Sequence, residues 1–392
     1  MMRRRTVVCG LASVVTTGCL RLEGADEAAV ATGDGTGGEA NADSSDAGEA
    51  TTGTTATTTD TGPVEPRPVW EHDVRGTVGV ADGATLVTAG SDDIQLRAVA
   101  DGERRWRQTS PVEFTDDLLP LLTDEFVYVA GHDRSTSTNV LTKHRRGSGT
   151  IGGRASIEHD SSFSGVPSLV DGLVVVGTDR TIEDDTLLAF DAETLDLVWS
   201  GHPVGDRFVG ATAVDGTLYA GFDHYLGAFS LPEFTTVWTD ESRGVSGPPV
   251  ARDGTLYLPG DGSVHAIDLE TRDTRWSADL GELARSATPV GDTLLVGGES
   301  TLSALDLATG SVQWQQSVGA EQGTPLGPAL VTAQSATGTA WAAGESTITG
   351  VRVATGEVVA AIDFPERVEW VDTADTHLLA GSAERTAGYV VE

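Results

Sequence analysis

The chain is short of several residue types at once. Of its 392 residues only two are cysteine, two methionine and one lysine, and the aromatics make up 6%. Both cysteines, Cys9 and Cys19, fall near the start, so the body of the protein can hold no internal disulfide, no Cys-ligated zinc and no thiol nucleophile. The eight histidines are scattered, without a pair at metal-ligand spacing. Basic residues number 25 against 59 acidic ones, for a net charge of −34. That balance argues against a nucleic-acid partner, because phosphate binding draws on clustered Lys and Arg. No Gly-x-Ser-x-Gly elbow and no phosphate loop is present. The pairs Asp92-Asp93, Asp116-Asp117 and Asp184-Asp185 lack the oxygen-ligand register of an EF-hand loop. The expectation is therefore no catalytic, cofactor-binding or metal-ligating residue.

What the chain does have is a repeated sentence, Ala-x-Asp-x-x-Thr-Gly-x-x-x-Trp, most complete at Ala304, Asp306, Thr309, Gly310 and Trp314. The closing positions fall at Trp106, Gly153, Trp199, Trp238, Trp276, Trp314 and Ala360, spaced by 38 to 47 residues. Each unit reads as four short strands separated by turn signals. In the sixth, Thr288-Pro289-Val290, Leu294–Gly297, Leu302–Asp306 and Val312–Trp314 alternate with Gly291-Asp292, Gly298–Ser300 and Thr309-Gly310. Pro167, Pro249 and Pro289 are placed at the openings of first strands, where a missing N–H is least costly. Asp215-Gly216 and Asp253-Gly254 read as hairpin turns.

Seven units are visible, and an eighth is split, with Trp70 alone at the front and apolar runs without a closing Trp from Val368 to Glu392. Four short antiparallel strands cannot bury both faces alone, and radial packing covers them without long exposed edges. The predicted fold is all-β: an eight-bladed β-propeller of four-stranded antiparallel blades over residues 68–392, closed by pairing of the N- and C-terminal segments. Trp70, Trp106, Trp199, Trp238, Trp276 and Trp314 share one repeat position, so they are expected to pack between blades. Trp341 and Trp370 fall outside that register.

The repeat resembles the blades of the pyrroloquinoline-quinone-type propellers, a family that includes quinoprotein alcohol dehydrogenases and the BamB outer-membrane assembly lipoprotein. Ala266, Asp268, Thr271 and Trp276 match in one copy and Ala189, Asp191, Thr194 and Trp199 in another. Ala228 and Trp238 match in a third, where Ser230 replaces the Asp. The resemblance implies that the motif's Trp docks between neighbouring blades. In the dehydrogenases of that family a vicinal cysteine pair, a Trp and a Ca²⁺ held by acidic and amide side chains serve the quinone. This chain has no such cysteine pair, and beyond the linker Asn139 is its single asparagine.

The front of the chain reads as an address. Residues 1–18 are predicted to be a signal peptide, with Arg4 and Arg5 of Arg4-Arg5-Thr6-Val7-Val8 resembling a twin-arginine export signal ahead of an apolar stretch too short to span a bilayer. Thr16-Thr17-Gly18-Cys19 resembles a lipobox, making Cys19 the candidate lipidation site. From Cys19 to residue 67 a linker rich in Gly, Ala, Thr and acidic residues lacks the apolar content to fold. As a flexible tether its 44 residues from Glu23 to Pro66 would hold the body about 35–40 Å from an anchor.

The acid excess and single lysine look like a protein of a salt-loving archaeon, since at molar salt the screening length of about 3 Å removes most self-repulsion. Lys143, His144, Arg145, Arg146 and Arg154 form a basic stretch in the second unit, either an anion or partner site or, more simply, a solvated hairpin. Gly131–Asn139 and Thr178–Thr186 read as long connections and are the candidate binding rim. The functional expectation is a noncatalytic, lipid-anchored surface scaffold for an unidentified protein or envelope polymer, with a quinoprotein dehydrogenase or a carbohydrate-binding propeller as alternatives.

Overall fold

The computed structural model describes residues 65–391, apart from 75, 91–92, 110–111, 114–117, 134, 159–161, 180–184, 202–205, 319–326, 328–329 and 335–336. Arg4, Arg5, Cys19 and most of the linker lie outside the described residues, as do residues 180–184 of the second candidate rim loop. Among the described residues there are 33 strands and no α-helix.

The strands form eight antiparallel units. Blade 1 runs Val78–Asp82, Thr85–Ala89, Asp93–Ala98 and Arg104–Thr109, and blade 6 repeats the order with Ser286–Val290, Thr293–Gly297, Thr301–Asp306 and Val312–Ser317. In blade 2 the first strand is broken into Val112–Glu113 and Leu121–Leu122, both paired to Phe126–Asp133. Blades 3 and 4 share one parallel bridge, Val166 to Gly210, which joins them into a continuous eight-stranded sheet. Blade 8 is assembled from both ends of the described chain: Trp370–Ala374, His377–Gly381 and Thr386–Val390 are completed by Arg67–His72, with Trp70 opposite Gly388. Trp70 is thus the closing Trp that the C-terminal unit lacks.

The first strands of the eight blades neighbour one another in a circle, Val78–Asp82 beside Leu121–Leu122 at one step and beside Trp370–Ala374 at the last. Their burial reflects this: Trp370–Ala374 and Val331–Gln334 are buried along their whole length. The closing strands lie outside, alternately exposed, with Ile151, Leu197, Val198 and Val358 showing apolar side chains to solvent. Between adjacent sheets run the apolar clusters that hold the ring. One contains Tyr257, Val264, Ala266, Trp276 and Leu294 from two consecutive blades.

Two local readings change. Pro167 is inside the strand Phe163–Val170, at a register shift between Ser164 and Ser168, and Pro289 is the fourth residue of Ser286–Val290. Both are on first strands, Pro289 on one that pairs on one side only and Pro167 at a bulge between the paired residues Ser164 and Ser168, so the lost N–H is tolerated there. Gly131–Asn139 is not a long connection, because the ladder continues to Asp133 opposite Thr138 and leaves a short turn. His132 Nδ1 lies 3.2 Å from Asn139 Oδ1 across that ladder, and the same oxygen accepts from Phe163 N of blade 3 at 3.3 Å. Asp215-Gly216 and Asp253-Gly254 are hairpin turns with φ of 49°, 72°, 49° and 71°, the left-handed pair a tight hairpin needs.

Candidate functional site

The chemistry-bearing residues of the repeat converge on the joints between blades. Asp306 Oδ1 accepts from Ala308 N (3.2 Å), Thr309 N (2.8 Å) and Thr309 Oγ1 (2.8 Å), which fixes the turn that follows the third strand. Asp268 does the same with Glu270 N and Thr271 N, and Asp191 with Glu193 N and Thr194 N. A carboxylate that accepts such bonds is favoured in its charged form. The Thr271 amide and then Arg275 hold Asp268 down at about 2, the Thr309 hydroxyl and amide lower Asp306, and the Thr194 amide lowers Asp191. The motif's Asp is thereby accounted for as a turn clamp.

Four residues after the Asp position, which is Asp306 in one blade and Arg352 in the next, the turn enters the left-handed region, with φ of 71° at Gly310 and 75° at Gly356. There the indole of the preceding blade arrives. A Cβ on Gly310 would lie 2.4 Å from Trp276 Cε3, and one on Gly356 2.7 Å from Trp314 Cγ. The indole N–H then donates to the carbonyl of the residue after the Asp position: Trp276 to Leu307 O (3.1 Å), Trp314 to Val353 O (2.8 Å), Trp106 to Arg146 O (2.7 Å) and Trp70 to Val99 O (2.7 Å). Trp70 and Trp106 meet Gly102 and Gly149 in the same way. Trp199 instead stacks on Phe234 at 4.4 Å with the rings 10° apart, and Trp238 tilts against Tyr219. Trp341 and Trp370 are fully buried, and the Trp370 indole donates to Gly76 O at 3.2 Å.

The basic stretch of the second unit divides, with Arg145 and Arg154 exposed and Lys143, His144 and Arg146 drawn into contacts between sheets. Lys143 and His144 are buried, and Lys143 Nζ donates to Ala192 O at 3.1 Å and to Glu193 O. Its ammonium also lies 4.6 Å from the centre of the Phe126 ring. His144 stacks under Trp106, and burial lowers its pKa. Arg146 clamps both oxygens of Asp82 at 2.7 Å, and Arg154 reaches Asp133 Oδ2 at 3.0 Å. Every one of these contacts except the pair Arg154 and Asp133 ties one sheet to another element or an aromatic ring.

Around the inner circle one acid stands out. Asp372 is buried, its Oδ2 accepting from Ala81 N of blade 1 (2.7 Å) and its Oδ1 from Thr373 N (2.7 Å), with the Thr332 hydroxyl of blade 7 at 3.4 Å. Burial raises its pKa to about 6 against the pull of those donors. At the outer part of the same closing seam two clefts share Asp73. One, of about 340 Å³, is lined by Asp73, Glu366, Glu384 and Arg385. The other, of about 320 Å³, is lined by Asp73, Asp93, Gln95, Arg97, Arg104 and Arg107, with Val74 its apolar wall. Sequence reasoning missed this second cleft, because its arginines alternate along two ordinary strands. Among the described residues no three His, Cys, Asp or Glu side chains come together as a metal site.

Residues 222–371 match the family model described as outer membrane protein assembly factor BamB. BamB from Moraxella catarrhalis superposes with a TM-score of 0.66 at 15% identity, over 83% of this chain and 100% of that one. The computationally designed Ika8 protein gives 0.65 at 14% identity, over 83% and 100%. The quinohemoprotein alcohol dehydrogenase from Comamonas testosteroni gives 0.64 at 10%, over 84% and 76%. No curated protein sequence matches. The chain is an all-β propeller of the fold seen in BamB, and residues 222–371 carry the similarity to the PQQ-like, BamB-like repeat family.

Proposed function

We propose that this chain is a noncatalytic binding module, exported through its twin-arginine leader and held on the outer face of the cell membrane by lipidated Cys19, with the ring offered to a macromolecular partner at the envelope. The observation that carries the reading is the match of residues 222–371 to the BamB assembly-factor model in a chain whose sequence has no vicinal cysteine pair. Outer-membrane assembly itself is not transferred, since the lysine-poor acidic composition points to an archaeal-type envelope with no outer membrane to serve. Trp70, Trp106, Trp199, Trp238, Trp276 and Trp314 act in this reading as the joints that keep the platform rigid. Crosslinking and pull-down from native membranes tests it: a stable co-purifying protein or polymer is expected, and Cys19→Ala should move the chain from the membrane to the soluble fraction. Retention of Cys19→Ala on the membrane would remove the anchor.

The likeness to a quinohemoprotein alcohol dehydrogenase favours a second reading, a quinone-dependent dehydrogenase. Dye-linked alcohol oxidation after addition of pyrroloquinoline quinone and Ca²⁺ at high salt would bring that reading ahead of the scaffold.

A further inference from the structure

We propose that the arginine-lined cleft at the closing seam binds a hydroxylated carboxylate, a uronic acid residue free or within an acidic polysaccharide. The strand Asp93–Ala98 places Asp93, Gln95 and Arg97 two residues apart on one face, and all three are buried. Arg97 donates from Nη1 to Gly102 O (2.7 Å) and from Nη2 to Gln95 Oε1 (2.9 Å), both neutral acceptors, while its buried Nε–H has no partner. Arg104 lines the same cleft and makes no hydrogen bond or ion pair among the described residues. Arg107 is already neutralised by Asp93, which Gln95 Nε2 also holds at 3.1 and 3.2 Å. Arg104 therefore faces the space without a carboxylate partner, beside a buried Arg97 that hydrogen-bonds only neutral acceptors, in a chain whose net charge is −34. A planar carboxylate fits such donors in paired fashion.

The rest of the lining narrows the ligand. Val74 is the one apolar residue, so an aliphatic or aromatic group would gain nothing there. Asp73, also unpaired among the described residues, is an acceptor that suits a ligand hydroxyl. Its negative charge weighs against a dianion such as phosphate. A single negative charge flanked by hydroxyls, in a volume of about 320 Å³, describes a uronate. The inference stands apart from the scaffold reading, because a protein partner captured elsewhere on the ring leaves it untouched.

The test is calorimetric titration of the full chain, at the salt concentration in which it is folded, with glucuronate, glucose, inorganic phosphate and polygalacturonate. Saturable binding of glucuronate at one site is expected, with phosphate weaker and glucose silent. Arg97→Gln removes a buried member of the strand network, so the exposed Arg104→Gln carries the mutational arm and should weaken glucuronate by about tenfold. His72 reports location. Burial and the Arg97 charge hold its imidazole pKa low, and a carboxylate on Arg97 should raise it, as read by NMR. Tighter binding of polygalacturonate per uronate identifies the polymer as the source, and equal binding the free acid. Absence of saturable binding by both, equal binding of glucose, tighter binding of phosphate, an unchanged Arg104→Gln or an unmoved His72 each overturns the proposal.

Discussion

The joint between blades 5 and 6 and the joint between blades 2 and 3 make the same connection with different chemistry. At the first, Trp276 lies over Gly310 and its indole N–H donates to Leu307 O. At the second the outer strand carries Gly153 where the Trp belongs, and the turn carries Leu195 where the Gly belongs, at φ 64°. A Cβ on Gly153 would lie 3.2 Å from Leu195 Cδ1, so the leucine fills the volume from the opposite side. The equivalent carbonyl, Ala192 O, then receives Lys143 Nζ, the ammonium of the chain's single lysine, together with the Tyr128 hydroxyl at 2.9 Å. Volume and hydrogen bond have been supplied separately, by two residues from two blades. The lesson is that the joint requires a filled gap and a satisfied turn carbonyl, and that an indole is one way to provide both.

Blade 7, the other unit without a closing Trp, carries Ala360 at that position. Its neighbour is the blade made from the two ends of the described chain, where Val391 N donates to Thr376 O. Ala360 there packs in a cluster with Trp341, Phe364 and Tyr389.

The sharpest way to break the comparison is at the Trp joints. Trp276→Ala and Trp314→Ala should each cost about 3–5 kcal/mol of unfolding free energy, because both a large volume and a carbonyl partner vanish. Chemical denaturation at fixed salt measures this. Leu195→Ala, which removes volume but leaves the Lys143 bond, should cost about 2–5 kcal/mol, with the lower half of that range expected because the Lys143 bond survives.

The joint that closes the ring adds a buried carboxylate to its Trp70 contact, and this gives the next effect. Asp372 links blade 8 to Ala81 of blade 1 beside the apolar packing of Trp370 on Val78 and Val80, and its raised pKa makes the joint pH-dependent. The unfolded chain releases this proton near 4 and the folded chain near 6, so the folded form holds the extra proton between those values. Stability from this group is therefore greatest below about 4, falls as pH rises to about 6 and is flat above. A shift of about two units corresponds to about 3 kcal/mol. Asp372→Asn should abolish that slope, and unfolding curves across this window that keep the slope would assign it elsewhere.

Lys143→Met keeps the aliphatic stem and removes the donor. It should cost about 1.5–3 kcal/mol, the worth of a hydrogen bond to a charged group, and a double-mutant cycle with Tyr128→Phe should show coupling, since both donate to Ala192 O.

Much of this architecture is legible in the sequence because the repeat sentence is itself structural. Trp and Gly mark the joint, Asp and Thr the turn, and the lone Trp70 reveals the split blade. What cannot be read is substitution across blades. Lys143 and Leu195 are 52 positions apart in sequence, and nothing local says that they serve one joint, so the lysine reads as part of a charged hairpin. The seam cleft is hidden for a similar reason. Arg97, Arg104 and Arg107 are separated by a turn, and their convergence depends on Asp73 being brought in by the strand that closes the ring.

The smallest predicted effect separates the turn from the joint. Asp191 precedes the Leu195 turn and Asp268 and Asp306 precede turns at Arg272 and Gly310, yet all three accept the same backbone amides. If the clamp acts on the turn alone, Asp191→Ala, Asp268→Ala and Asp306→Ala should each lose a similar small amount of stability, whatever fills the adjoining gap. Their pKa values are depressed, Asp268's to about 2, so the stabilisation is present above the ordinary carboxylate value near 4 and is lost as pH falls through each group's lowered pKa. Each Ala variant should therefore converge with the wild type in acid. A variant at Asp191 that costs several times more than one at Asp306 would show that the leucine joint leans on its turn in a way the tryptophan joint does not.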